Sequence, residues 1–230
     1  MSKVEHFDLT GKNAVVLAAD NPAGKAIADA CEEAGANVAR HDQAPADKVD
    51  AQIRSSADEM GGLHILACAP DLFIAKPIAE IDMNDIGNTM MANFAAQYVA
   101  SQTAVDLMRG QGNGGNIILT TSVLGERGLP NTTIYSAAHG AVFNFIRALA
   151  QEVAPDGISV NGIALGWMDW MDDRIDPKDE SAARAVRFTM LKRPGTAEDV
   201  GPLAVWLGGT GVGFVTGQIF PVDGGLTQHL

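Results

Sequence analysis

Ser122 and Tyr135 are the two residues whose types and spacing point most directly to chemistry. Ser122 follows a run of strand-forming residues, and Tyr135 lies thirteen positions later, at the start of an alanine-rich segment. A phenol has an ordinary pKa near 10, so it exchanges protons at neutral pH only when a nearby cation activates it. A serine hydroxyl at an adjacent strand end can hold a substrate oxygen beside it. The pair therefore predicts proton transfer at a carbonyl or hydroxyl group.

The elements that must position this pair alternate between short apolar runs and longer helical stretches, a pattern typical of a parallel α/β sheet. We predict strands over residues 13–18, 37–41, 64–68, 116–120, 158–164 and 218–222. We predict helices over residues 23–34, 46–60, 83–109, 133–153 and 197–208. No repeat or linker interrupts this alternation, so residues 1–230 are predicted to form a single domain.

Composition narrows the class of protein. The formal net charge of −12 argues against nucleic acid or an anionic membrane as a partner. No apolar run approaches the roughly 20 residues that span a bilayer, and the N-terminus shows no secretion signal. The two cysteines and five histidines have no metal-ligand spacing, so no metal site is predicted. We expect a soluble, cytoplasmic protein that acts on a small molecule.

Residues 116–166 read NIILTTSVLGERGLPNTTIYSAAHGAVFNFIRALAQEVAPDGISVNGIALG. This segment closely resembles the catalytic half of the short-chain dehydrogenase/reductase family, in which a strand ends in Ser and a Tyr follows thirteen positions later. The resemblance continues through LKRPGTAEDVGPLAVWLGG (191–209) and VTGQIFPVDGG (215–225), and so covers nearly the whole chain. It implies a Rossmann-like, doubly wound parallel sheet with Ser122 and Tyr135 as catalytic residues. It also implies a homodimer or homotetramer, built on the helices predicted over 83–109 and 133–153.

Asn93, in the stretch MMANFAAQ, falls where the family has a structural and catalytic Asn. The resemblance therefore adds it to the predicted catalytic residues.

The loop that would bind a dinucleotide departs from the family pattern. The family reads Thr-Gly-x-x-x-Gly-x-Gly, and this chain has LAADNPAG at residues 17–24. Gly24 keeps the last glycine, which serves helix–strand packing. The first glycine is Ala18, and the second is Pro22, which adds a ring and removes an N–H donor where the pyrophosphate would approach.

The segment after the second predicted strand is about twenty residues shorter than in the family, so one strand and one helix of the usual sheet are predicted to be missing. Asp42 is ambiguous as a result. It matches either the carboxylate that binds an adenosine ribose or the Asp that follows the third strand, near the adenine. The family's Asn-Asn-Ala-Gly, which lines the cofactor cleft, is Ala-Cys-Ala-Pro at residues 67–70.

His139 stands where the family has the Lys of its Tyr-x-x-x-Lys motif. Residues four apart share a helix face, so His139 can still lie beside Tyr135. A histidine is shorter than a lysine and is charged only part of the time at neutral pH. It can tune the phenol, act as a proton shuttle or general base, or only fill space.

The segment from 166 to about 190 contains two tryptophans and several methionines and has no strand pattern. We interpret Trp167, Met168 and Trp170 as an apolar lid over the substrate pocket, suited to an aromatic or alicyclic ligand. A hydrophobic contact between subunits, or plain loop packing, is an equal alternative.

Three functions fit these observations. The favoured hypothesis is an enzyme that uses Ser122, Tyr135 and His139 without a conventionally bound dinucleotide, for elimination, dehydration, isomerisation, retro-aldol cleavage or a dehalogenase-like reaction. The alternative is an NAD(P)-dependent alcohol dehydrogenase or ketone reductase, with an atypical cofactor site that includes Gly24 and Asp42. The third is a non-catalytic subunit that pairs with an active relative.

Overall fold

The computed structural model describes residues 5–174 and 181–228 of the chain. Its strands are β1 Asn13–Leu17, β2 Asn37–His41, β3 Ile65–Cys68, β4 Gly115–Ser122, β5 Ile158–Leu165 and β6 Ile219–Val222. Its α-helices are α1 Pro22–Glu33, α2 Ala46–Met60, α3 Met83–Met90, α4 Ala96–Gln111, α5 Thr133–Val153, α6 Ser181–Phe188 and α7 Ala197–Gly208. Among the described residues, none of these helices is long and apolar enough to cross a membrane.

Within these residues the strands form one fully parallel sheet, in the order β2-β1-β3-β4-β5-β6. The four central strands, β1, β3, β4 and β5, are mostly buried runs rich in Val, Ile, Leu and Ala, as expected of a sheet covered on both faces, while the edge strands β2 and β6 are partly exposed. Helices α2, α4 and α5 cover one face, and α1 and α7 cover the other. The predicted Rossmann-like parallel sheet is therefore confirmed.

The sheet has six strands because the connection between β2 and α2 is only four residues long. This agrees with the predicted loss of one strand and one helix. The strand order reverses direction between β1 and β3, and ligands bind such sheets at this switch point, outside the carboxyl ends of the strands.

Two predicted segments differ from the structure. The helix predicted over 83–109 is divided into α3 and α4 by a π-helical turn at Met91–Ala95. The segment from 166 to about 190, interpreted as a lid because it has no strand pattern, contains a 3-10 turn at Asp169–Arg174 and the helix α6. Residues 175–180 of that predicted lid lie outside the described residues.

Candidate active site

Ser122 and Tyr135 lie together at the carboxyl edge of the sheet. Ser122 is the last residue of β4, and its Oγ accepts a hydrogen bond from the Leu124 backbone N–H at 3.2 Å. Tyr135 lies in the first turn of α5 and is buried. Both residues line one cavity of about 370 Å³, so the spacing that marked them in the sequence does bring them together.

The phenol of Tyr135 stays protonated at neutral pH. Burial raises its pKa well above the ordinary value, and the charge of Asp71 raises it further. Arg174 and a hydrogen bond from Ser122 act in the opposite direction. The Tyr135 Oη donates a hydrogen bond to Asp71 Oδ1 at 2.9 Å.

His139 is buried beside Tyr135, with the two ring centroids 4.3 Å apart. Its Nδ1 accepts a hydrogen bond from the Ser122 backbone N–H at 3.1 Å, which assigns its proton to Nε2. Nε2 is buried and has no partner among the residues that the structure describes. Burial lowers the pKa of His139 to about 4, so the ring is neutral at pH 7 and does not replace a lysine as a cation beside the phenol.

Asn93 lies in the π-helical turn between α3 and α4 and is fully buried. Its side chain accepts a hydrogen bond from the Leu72 backbone N–H at 2.7 Å and donates one to the Leu72 carbonyl oxygen at 3.0 Å. The side chain therefore holds the loop that follows β3. Its contacts in the structure are with that loop, and it is not among the residues that line the cavity.

Of the three residues predicted to cover the substrate, Trp167 alone lines the cavity. Its indole Nε1 is buried without a partner in the described part of the chain. Met168 is fully buried in the hydrophobic core, and Trp170 packs against that core; neither lines the cavity, and their pocket role stays a prediction. Their positions agree with the packing alternative.

Two residues from the same turn enter the site unpredicted. Met171 and Arg174 line the cavity, and the Arg174 guanidinium pairs with Asp71 at 2.6 Å. Asp71, three positions after β3, is another site residue that the sequence did not single out. The sequence offered one signal for Asp71, a charged residue just beyond the end of a strand. Many loop residues share this feature, so it does not single out Asp71.

Gly24 and Asp42 lie at the switch point. A Cβ on Gly24 would overlap the carbonyl oxygen of Ala18, which explains why only glycine fits there. Ala18 itself has φ 58°, in the left-handed region that glycine adopts without strain. Asp42 follows β2, the strand beside β1, which is where dinucleotide-binding folds place the carboxylate for the ribose.

Side chains close the cleft between these residues. Asn21 Nδ2 donates to the Ala69 carbonyl oxygen at 2.5 Å, and Gln43 Oε1 accepts from the Asp71 N–H at 3.2 Å. The space left beside Asp42 is about 10 Å³, room for one water molecule at most. Asn21 also caps α1 by accepting from the Gly24 N–H at 2.9 Å, at the helix end where a phosphate would bind.

Comparison with known proteins decides the family. The family model described as enoyl-(acyl carrier protein) reductase matches residues 4–227. The chain is 31% identical to glucose 1-dehydrogenase of Gluconobacter oxydans over 198 residues, which cover 84% of this chain and 73% of that protein. This chain belongs to the short-chain dehydrogenase/reductase family.

Solved structures of similar proteins have the same fold. A dehydrogenase/reductase from Sinorhizobium meliloti 1021 is 27% identical with a TM-score of 0.87, and the match covers 96% of this chain and 97% of that one. A gluconate 5-dehydrogenase from Burkholderia cenocepacia, solved with NADP and tartrate, is 25% identical with a TM-score of 0.89. That match covers 98% of this chain and 99% of that one.

These findings correct the favoured functional hypothesis. Most of the similar proteins are named dehydrogenases or reductases, and a gluconate 5-dehydrogenase among them was solved with NADP. A lyase or isomerase that works without a dinucleotide is therefore the wrong interpretation. It rested on the altered residues of the nucleotide loop.

Proposed function

We propose that this short-chain dehydrogenase/reductase is an NAD(P)-dependent oxidoreductase that interconverts a hydroxyl and a carbonyl group on a small molecule. The observation that carries the proposal is the convergence of Ser122 and Tyr135 on one cavity at the switch-point edge of the sheet. The names of its relatives, glucose 1-dehydrogenase and L-2,3-butanediol dehydrogenase among them, support this reaction class.

The chain's own groups handle the oxygen of the substrate. The Ser122 hydroxyl positions that oxygen beside the Tyr135 phenol, which gives a proton to a carbonyl or takes one from a hydroxyl. Apolar side chains exclude water from the cavity, and those of Phe73, Leu129 and Met171 line it. An apolar body with one polar oxygen is the kind of substrate that such a cavity suits.

The backbone and the unpartnered atoms at the switch point are compatible with a bound dinucleotide. Gly24 and the N-terminus of α1 would hold the pyrophosphate, and Asp42 would hold the adenosine ribose. The unpartnered Nε2–H of His139 suits a hydroxyl of the nicotinamide ribose. Before the group can enter, the side chain of Gln43 must leave the Asp71 N–H, and the side chain of Asn21 must leave the Gly24 N–H at the phosphate end. When bound, the nicotinamide accepts or supplies the hydride.

We also propose that the protein forms a homodimer or homotetramer through α4 and α5. Tyr98 is 47% exposed and stacks on Phe145 with ring centroids 4.8 Å apart, and Phe94 packs edge-on against the same ring. This exposed aromatic group is suited to cover the same group of a second copy. A cytoplasmic setting, without nucleic-acid or membrane partners, stays a prediction from composition.

The proposed function is tested by measuring dinucleotide binding and turnover. Purified protein is titrated with NADH and NADPH by fluorescence, and a panel of polyols, secondary alcohols and ketones is assayed with either cofactor. We expect saturable binding and turnover of at least one substrate, and a loss of about 100-fold or more in kcat for Tyr135→Phe. The absence of dinucleotide binding at millimolar concentrations, or full activity of Tyr135→Phe, would overturn the proposal.

A further inference from the structure

The carboxylate of Asp71 joins the Tyr135 phenol to a guanidinium. Oδ1 of Asp71 accepts the phenol hydrogen bond at 2.9 Å, and Oδ2 lies 2.6 Å from Nη2 of Arg174. These three residues come from the loop after β3, the first turn of α5 and the end of the 3-10 turn. The phenol thus has a direct polar partner other than His139.

The structure holds Asp71 in place from several directions. Its backbone N–H donates to Gln43 Oε1, and the backbone of the next residue, Leu72, is held on both sides by Asn93. The Arg174 guanidinium lies over the Phe73 ring, 5.4 Å from its centroid. A carboxylate held this firmly keeps one oxygen aimed at the phenol, and so fixes the direction of the phenol O–H bond.

The charged and titratable groups around the phenol leave Asp71 as its proton acceptor. His139 is neutral because burial lowers its pKa to about 4, and its Nδ1 is occupied by the Ser122 N–H. Arg174 only donates hydrogen bonds, and the Ser122 hydroxyl donates toward the phenol. The Asp71 side chain is 17% exposed, so a proton that reaches it can pass on to water.

We propose that Asp71 is the proton-relay partner of Tyr135, and that Arg174 keeps its carboxylate in position. When the substrate hydroxyl is deprotonated, its O–H bond breaks and its proton binds the Tyr135 oxygen. The phenol proton moves to Asp71 Oδ1 in the same step and then to water; the reverse order serves a carbonyl substrate. The relay moves one proton and no electrons. This inference rests on the proposed function for the identity of the substrate group, but the contact itself can be tested without substrate.

The first test measures the phenol directly. Tyr98 and Tyr135 are the two tyrosines of the chain, so Tyr98→Phe leaves Tyr135 as the source of any tyrosinate absorbance. In that background, the ultraviolet spectrum is followed from about pH 7 to about pH 12.5, with circular dichroism at each pH to show that the chain is folded, for the protein with Asp71 and for Asp71→Asn. Loss of the neighbouring negative charge is expected to move Tyr135 ionisation downward by about one pH unit or more. Asp172→Asn, which neutralises an exposed carboxylate of the same turn, is the matched control and should leave the curve in place.

The second test separates relay from structure. With a substrate in hand, Asp71→Asn should lower kcat by about 10- to 100-fold and change its pH profile, while KM changes little, and Asp71→Glu should restore part of the rate. Asp71→Ser serves as the second neutral variant, and thermal melting shows which variants are folded. The proposal would be overturned if the tyrosinate titration curves of Asp71→Asn and Asp71→Ser superimpose on the curve of the protein that has Asp71. The proposal would also be overturned if Tyr135→Phe inactivates the enzyme while Asp71→Asn and Asp71→Ser leave kcat and its pH profile unchanged. An active Tyr135→Phe would instead overturn the proposed function.

Discussion

The imidazole of His139 accepts the backbone N–H of Ser122 at 3.1 Å, so the residue in the lysine position holds the end of β4. The contact requires the neutral form of the ring, because Nδ1 must offer its lone pair. It links the charge state of one buried histidine to the placement of Ser122, the proposed catalytic serine.

The first prediction concerns the pH dependence of stability. Burial lowers the pKa of His139 in the folded chain from 6.5 to about 4. Between these values the unfolded chain binds a proton that the folded chain does not, so His139 reduces stability as the pH falls from about 6.5 to about 4, by up to about 3 kcal/mol. Above pH 6.5 the ring is neutral in both states, and its effect is constant.

Urea unfolding at several pH values checks this prediction. His139→Gln should unfold with a weaker pH dependence than the parent between about pH 4 and about pH 6.5. The control is His6→Gln, a change at an exposed histidine, which should follow the parent. The same difference in unfolding free energy between His139→Gln and the parent at every pH would contradict the assignment.

The second prediction concerns the packing of the β1–α1 loop. Gly24→Ala places a methyl group against the carbonyl oxygen of Ala18, so either the loop or α1 must move. We expect a loss of about 1–3 kcal/mol in the free energy of unfolding. Gly110→Ala, at a position in α4 with open space around it, should be neutral or stabilising by up to about 1 kcal/mol. Equal stability of the two variants would show that the loop adapts freely.

The third prediction concerns the side chain that closes the cofactor cleft. Gln43→Ala removes the hydrogen bond to the Asp71 N–H and opens space beside Asp42. Since one such bond contributes about 1 kcal/mol, the affinity for NADH or NADPH should rise by about 5-fold. Fluorescence titration measures it, with Gln151→Ala, an exposed change on α5, as the matched control. Weaker binding by Gln43→Ala would show that Gln43 contacts the cofactor instead of blocking it.

The fourth prediction concerns assembly. Tyr98→Asp puts a charge into the exposed aromatic group on α4, where a second copy is proposed to pack. Sedimentation velocity over a range of concentrations should show dissociation of the variant, because burying an unpaired carboxylate opposes association. Tyr98→Phe keeps the ring and should assemble as the parent does. A parent protein that stays monomeric, or a Tyr98→Asp variant that assembles normally, would exclude this interface.

The fold and the centre of the site were accessible from the sequence because both are encoded locally. Runs of buried β-branched residues gave strands within a few residues of their observed ends, and the Ser122–Tyr135 spacing placed both residues at one edge of the sheet. The interruption at Met91–Ala95 was missed, since a π-helical turn inserts one residue without changing the apolar pattern on either side.

The rest of the site was decided by tertiary structure. Asp71 and Tyr135 are 64 positions apart, and Asp71 and Arg174 are 103 apart. Their contact depends on the strand order and on the course of the connections that follow β3, β4 and β5, which no periodic pattern encodes. By itself the sequence determined the parallel sheet, the family and the Ser–Tyr pair. The tertiary structure decided which loop side chains face that pair and which close the cleft beside it, because only folding brings the carboxyl ends of the strands to one edge.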